Sequence, residues 1–384
     1  SRSDEGFMAA LERDDESFLH RFIRPIHGKS LTIFTTVPLA LRLMAAWVFG
    51  DGIEIQAISS IFAATMAILA IGLFPLWCFR SQRGGLSSKQ ISGMALLSVI
   101  VAGSTYYSHY FSSLGNHNFG VLFLIFAAGA TQRAIFSLEG MQNGKLKVIA
   151  IAGLFQFLAL YSHWTNVFIL PAVTLLVWSF FGNSLRRKLV IAGGYLAFLL
   201  VIAAPFFLFA ANDLSHAGNV RNHTVWDLIR LVFSSGITDP AKGLGAQSIQ
   251  WFDNISSIFS ITGMVLGLFG VIGLAVYQRI YLPLGLCVTH LLLGIILPIF
   301  IGAHFRTDLY ILPFLALGIA YVGVLCVSAI KGFCQQGKSS ILAMSATLIL
   351  AFTAHHLWLQ ASNSGSQELI RHQNPVFWEM YYKG

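Results

Sequence analysis

The chain has 384 residues, of which 56% are apolar and only 10% charged, with a formal net charge of +8. A soluble domain carries about 25% charged residues, so water cannot solvate this surface and a bilayer must. The basic balance therefore reads as membrane topology and contact with anionic membrane lipids, not nucleic-acid binding. Four cysteines without motif spacing exclude a disulfide framework or a zinc signature.

Of the 16 acids, six crowd the first 16 positions: Asp4, Glu5, Glu12, Asp14, Asp15 and Glu16. Here EGFMAALERDDESFLHRF sets Phe7, Met8, Leu11, Phe18 and Phe22 on one helical face, with acids opposite. LTIFTTVPLALRLMAAWVFG (31–50) is apolar but broken by Pro38 and Arg42. Both stretches read as helices lying in the interface, which makes 1–50 a loop region with an acidic motif.

The remainder predicts an all-α, polytopic membrane protein. A spanning helix needs about 20 mostly apolar residues. Ten stretches meet that: 55–79, 91–108, 118–136, 148–163, 166–182, 189–211, 258–277, 281–302, 310–330 and 340–358. They divide into a first block within 51–211 and a second within 258–358. A long loop, 212–257, separates the blocks, and a tail, 359–384, follows them. The loop contains one amphipathic stretch, TVWDLIRLVF, and several glycines, which suit a mobile lid. Asn222-His223-Thr224 and Asn254-Ile255-Ser256 match the glycosylation triplet, a pattern that also arises by chance.

Lysines and arginines orient the spans. Every second connection is basic: Arg80, Arg83 and Lys89; Arg133, Lys145 and Lys147; Arg186, Arg187 and Lys188; Arg279; Lys331 and Lys338. These connections are expected in the cytoplasm. The alternate ones, 108–118, 162–166 and 302–310, carry one basic residue between them, Arg306. The acidic start, the long loop and the tail are then extracytoplasmic. An outward-facing start implies a further span upstream of Ser1 or an unusual translocated N-terminus, and the further span is the preferred expectation.

Eleven of the twelve histidines fall on that outward side or at outer helix ends. His117, His163, His304 and His355 belong to four different helix ends, where they can converge on one cavity with Asn116, Asn118, Asn166, Asp308 and Tyr310. The exception is His290, which sits mid-span, where a lone histidine more often belongs to the core than to a site. Transporters gather polar and ionisable groups near the membrane midplane. Here the polar material collects at one surface, which points to chemistry on a lipid-anchored substrate.

An Asp-Glu pair near the start, two interfacial helices, FGDGIEIQAISSIFAATMAILAIGLF (49–74) and HFRTDLYILPFLALGIAYV (304–322) together resemble the GT-C class of membrane glycosyltransferases. The likeness is to the branch of protein O-mannosyltransferases and bacterial aminoarabinose transferases. It covers nearly the whole chain in layout, although its local motifs are short. The first helix of that family is absent, RPIHGKSLTIFTTVPLALR stands where the family has a Pro-rich stretch, and GNHN replaces a basic-plus-acid pattern. The resemblance implies a polyprenyl-phosphate sugar as donor, and a glycan, lipid or protein as acceptor. It also implies an active site on the extracytoplasmic face of a multi-pass membrane protein, most simply in the bacterial inner membrane.

Residue roles follow from that chemistry. Sugar transfer to a hydroxyl needs a base to take its proton as the anomeric bond breaks. Asp4 is the expected base, with inversion at the anomeric carbon, and Glu5 either orients the acceptor, binds a cation or is itself the base. Adjacent helical residues point about 100° apart, so one of the pair faces the reacting centre. The leaving polyprenyl phosphate is an anion, stabilised by positive charge. Arg306 is its expected partner through a planar fork, with Tyr310, His27 and Lys29 beside it. His117, His163, His304, Asp308 and His355 are expected to line the cavity. No cofactor is certain. Asp14, Asp15 and Glu16 with a nearby histidine are residue types that bind a divalent cation, but no ligand spacing is diagnostic. The bland readings are a solvated acidic face, interfacial anchors and structural histidines. Two other functions compete: a lipid-linked-sugar flippase, which needs midplane polar residues, and a membrane acyltransferase, which needs one dominant intramembrane histidine.

Overall fold

The computed structural model describes residues 36–49, 53–79, 86–104, 116–139, 145–180, 184–209, 244–301 and 310–336. Every regular element among them is an α-helix. In chain order these are α1 (Thr36–Phe49), α2 (Ile53–Phe79), α3 (Ser88–Ser104), α4 (Asn116–Glu139) and α5 (Lys145–Leu160). Then come α6 (Trp164–Phe180), α7 (Leu185–Phe209), α8 (Leu244–Gln278), α9 (Leu282–Ile301) and α10 (Leu312–Gln336). Nine of the ten apolar stretches predicted from sequence carry a helix; 340–358 lies outside the described residues.

Among the described residues four helices are long and apolar enough to cross a membrane, over Ile61–Phe79, Asn118–Leu138, Ile261–Gln278 and Leu312–Lys331. The apolar parts of α3, α5, α6, α7 and α9 are shorter. Helix α1, with 14 residues, is about 21 Å long, less than the ~30 Å of a hydrocarbon core. The stretch read as an interfacial helix, its apolar run interrupted by Pro38 and Arg42, is helical over Thr36–Phe49. Pro38 falls in the first turn, where its missing N–H has no intrahelical partner to lose, and the helix runs on through Arg42 to Phe49. Within the loop expected over 212–257, residues 244–257 are helical, because α8 begins at Leu244 and continues for 35 residues, while 212–243 lie outside the described residues. Polar residues such as Gln247, Ser248, Asp253 and Asn254 interrupt the apolar run that hydropathy detects, but not the helix.

Helices α4 and α10 form the centre, flanked by α2, α3, α5 and α8. From Tyr310 to Tyr321 every side chain is buried. Helices α8 and α10 meet at backbone distance. A Cβ added to Gly270 would lie 1.9 Å from the Gly318 carbonyl oxygen, and one on Gly318 would lie 2.0 Å from that of Gly267. Within a bilayer apolar burial does not drive helices together, so close van der Waals contact between small residues has to. Aromatic packing joins the next helices: Trp77, Phe126 and Phe155 form a triangle between α2, α4 and α5, with Phe126 and Phe155 stacked at 5.0 Å. Each such pair adds about 0.5–1.5 kcal/mol beyond its area.

Hydrogen bonds identify the two ends of the bundle. At one end the α8–α9 turn is gripped by Gln132 of α4, which donates through Nε2 to the Arg279 carbonyl (3.3 Å) and accepts from the Leu282 amide (3.2 Å). Arg279 there has φ of 56°, a left-handed conformation that ends α8 at a small steric cost. At the same end Gln90 of α3 reaches Ser328 of α10 at 2.8 Å. This end bears the lysines and arginines of the short connections and is called the basic end. The opposite one, where α4, α6 and α10 begin, is the histidine end.

Candidate site at the histidine end

The α5–α6 turn organises this end. His163 precedes α6, and its Nδ1 accepts the Thr165 amide at 3.3 Å, while its carbonyl accepts the Asn166 amide at 3.0 Å. The imidazole therefore acts as the cap of α6, satisfying one of the donors that a helix start leaves open. One turn into α6, the Asn166 side-chain amide donates to the carbonyls of Gly120 (3.0 Å) and Ala159 (2.9 Å). A single asparagine thus ties the starts of α4 and α6 to the end of α5.

Tyr310 fills the space above Gly120. A Cβ on Gly120 would lie 2.6 Å from the Tyr310 hydroxyl oxygen and 2.8 Å from the Cβ of His163. Only glycine lets all three residues occupy this corner. The Tyr310 ring has His163 on one side, with centroids 5.3 Å apart, and His290 on the other, stacked at 5.2 Å and 18°. Asn118, Ser162, His163, Thr165, Asn166, His290 and Tyr310 are all buried. Within this cluster the Thr165 hydroxyl, the Asn166 Oδ1 and both His290 ring nitrogens have no hydrogen-bond partner among the described residues. Buried polar atoms of that kind are few in native proteins and usually mark a water, a ligand or a working group.

The same turn also receives the start of the chain's described part. The Val37 amide of α1 donates to the Tyr161 carbonyl at 3.0 Å, and Val37 packs with Leu160, Tyr161 and Ile202. The residues following the segment 1–35 and the residue following 302–309 therefore flank one three-residue turn, Tyr161 to His163.

Of the residues singled out from sequence, Tyr310 and His163 are in ring contact, and Asn118 and Asn166 join them in the buried cluster. His117 is placed by its backbone in the first turn of α4. Asp4, Glu5, His27, Lys29, His304, Arg306, Asp308 and His355 lie outside the described residues, as do Asp14, Asp15 and Glu16. Among the described residues no three His, Cys, Asp or Glu side chains are grouped to hold a metal.

Sequence reasoning undervalued three residues. His290 reads as an isolated mid-span histidine; the structure stacks it on Tyr310, because α9 runs from the basic end alongside α10. Gly120 carries no signal beyond its residue type. Gln156 looks like a lone polar residue in an apolar run, yet its Nε2 donates to Thr131 (2.9 Å) and Thr174 (3.2 Å), and its Oε1 accepts the Tyr195 hydroxyl. That network joins α4, α5, α6 and α7 halfway along the bundle.

In comparisons with known proteins, no family model and no curated protein matches the chain.

Proposed function

We propose that the protein is a membrane glycosyltransferase of the GT-C type. It moves a sugar from a polyprenyl phosphate to a hydroxyl of a cell-envelope glycan, lipid or protein at the extracytoplasmic face. The observation that carries this reading is the convergence on the α5–α6 turn. Val37, next in the chain after the segment bearing Asp4, Glu5, His27 and Lys29, is hydrogen-bonded to it. Tyr310, next after the segment bearing His304, Arg306 and Asp308, stacks against it. The acid proposed as base and the cation proposed for the donor phosphate thus belong to segments that join the bundle side by side, at the end without basic connections.

In the mechanism, the Asp4 carboxylate takes the proton of the acceptor hydroxyl as that oxygen attacks the anomeric carbon. The bond from the anomeric carbon to the phosphate oxygen breaks, and configuration inverts. The departing polyprenyl phosphate keeps the bonding electron pair as an anion, and Arg306, helped by His27 and Lys29, offsets its charge. The buried cluster of His163, Asn166, Tyr310 and His290 supports this reading as a packed base at the end of the bundle where the chain resumes at Tyr310, after the segment bearing Arg306. The reading extends to ten spans, a bacterial inner membrane and an outward-facing site.

A second reading, flipping of a lipid-linked sugar, draws on the Gln156 network at mid-bundle, a feature transporters share. The network is uncharged and its members bond one another, so it supports a helix staple better than a substrate path. One assay separates the two. Purified protein is given a panel of radiolabelled polyprenyl-phosphate sugars, wild type against Asp4→Asn. Transfer by the wild type that drops at least 100-fold in the variant, the scale of a lost general base, supports the proposal. Transfer unchanged in Asp4→Asn removes the base, and movement of intact donor across vesicles without bond cleavage establishes the flippase.

A further inference from the structure

Helix α7 touches α6 and is tied down at two points, by Tyr195 on Gln156 and by the Tyr161 hydroxyl on the Ile202 carbonyl, where Ile202 is buried with Leu160 and Tyr161; a gap remains between it and the α4–α5 pair. The gap encloses a cavity of about 690 Å³, lined among others by Ile135, Ile149, Gly153, Trp178, Gly194 and Phe198. Its wall is almost wholly apolar. It reaches the bundle surface between α5 and α7, where the lining residues Leu154, Phe157 and Val201 are 55%, 40% and 72% exposed.

Toward the basic end, the two helices that flank the cavity begin with bases. Helix α5 starts with Lys145 and Lys147, and α7 with Arg186, Arg187 and Lys188. Lys147 and Arg186 are exposed. Lys188 donates to the Ser179 carbonyl at 2.7 Å, closing the end of α6 and fixing the start of α7 beside it. One acid, Glu139 at the end of α4, stands against these five bases by sequence position. Ile149, in the cavity wall, lies two residues beyond Lys147, about 3 Å along the helix axis; Gly194 lies eight beyond Arg186, about 12 Å. Basic groups therefore sit on both sides of the slot, within one or two helical turns of the apolar space.

We infer that this slot is a binding site for an anionic bilayer phospholipid, its phosphate held between Lys147 and Arg186 at the basic end and one acyl chain lying in the α4–α7 cavity. The apolar volume alone admits any chain, and the double-sided basic collar selects an anionic headgroup from the leaflet at that end. Such a lipid fills the gap between α7 and the α4–α5 pair, so it supports α7 in its place. The inference rests on the helices being membrane spans and not on sugar transfer.

The test uses the full chain purified in detergent, with bound phospholipid read by native mass spectrometry and Tm read while phosphatidylglycerol or phosphatidylcholine is added. Wild type is expected to retain phosphatidylglycerol and to gain Tm from it more than from phosphatidylcholine. The double variant Lys147→Gln/Arg186→Gln is expected to lose about 25-fold in phosphatidylglycerol affinity, two basic groups' worth. Gly194→Phe, whose Cβ meets nothing within 4 Å, fills the cavity and is expected to abolish the Tm gain while folding normally. Equal response to both lipids, or unaltered binding by the double variant, overturns the inference. So does a slot occupied by polyprenyl phosphate that phosphatidylglycerol fails to displace. Wild type that stays dispersed in water without detergent would instead refute the membrane reading itself, and sugar transfer with or without bound lipid leaves the two proposals separately decided.

Discussion

The bundle has a tight half and a loose half, built by opposite means. In the α8–α10 contact glycines bring backbones to touching distance, leaving no room for a single added carbon. In the α5–α7 region Trp178, Tyr195 and Phe198 line a cavity between the helices, and Gly193 and Gly194 face open space. Both regions are built of apolar helices, so apolar character alone does not explain the difference. What separates them is the size of the residue at each crossing, and the consequence is functional. The tight half fixes Tyr310 and the floor of the candidate site, while the loose half leaves room for a lipid.

This contrast breaks most readily at Gly270. Gly270→Leu places side-chain atoms inside the Gly318 backbone, so α8 and α10 must separate. The loss exceeds the ~1–3 kcal/mol of ordinary overpacking, and size-exclusion chromatography should show aggregated protein in place of a monodisperse peak. Next comes the histidine end: Gly120→Val drives its side chain into Tyr310 and His163, and a loss of about 1–3 kcal/mol is expected. Thermal unfolding in detergent should show it, together with reduced transfer activity. In the loose half Gln156→Leu removes hydrogen bonds to Thr131, Thr174 and Tyr195 at once, and costs about 1–3 kcal/mol by leaving partners unsatisfied. Limited proteolysis beside α7 should quicken more than proteolysis elsewhere. The smallest effect belongs to His290→Phe. It keeps the stack on Tyr310 and removes two nitrogens that bond nothing among the described residues, so Tm should stay level or rise. A clear fall in Tm would mean that those nitrogens are satisfied after all.

Much of the helical layout was legible from sequence, because long apolar runs between basic connections dictate helices in one dimension. The start of α8 was not, since Gln247, Asp253 and Asn254 lower the hydropathy of a helix that extends past the apolar stretch. Pro38 did not stand against a helical reading of 31–50, since a proline within the first turn begins a helix as readily as one further along breaks it. Within the candidate site, Tyr310, His163, Asn118 and Asn166 could be assigned to one end by counting spans. The stacking of His290 on Tyr310 could not, because it depends on how far α9 slides along α10, a register no single-helix pattern records. Gln132 and Gln156 were equally hidden. A glutamine in an apolar run signals an interhelical bond only once its partner helix is known.

The account requires the two ends to face opposite sides of the membrane. With the four native cysteines replaced, Arg306→Cys and Arg186→Cys can each be exposed to a membrane-impermeant maleimide in sealed right-side-out and inside-out vesicles. The account predicts that position 306 labels in right-side-out vesicles and position 186 only in inside-out ones. Labelling of both from one side, or of position 306 from the cytoplasmic side alone, would contradict it.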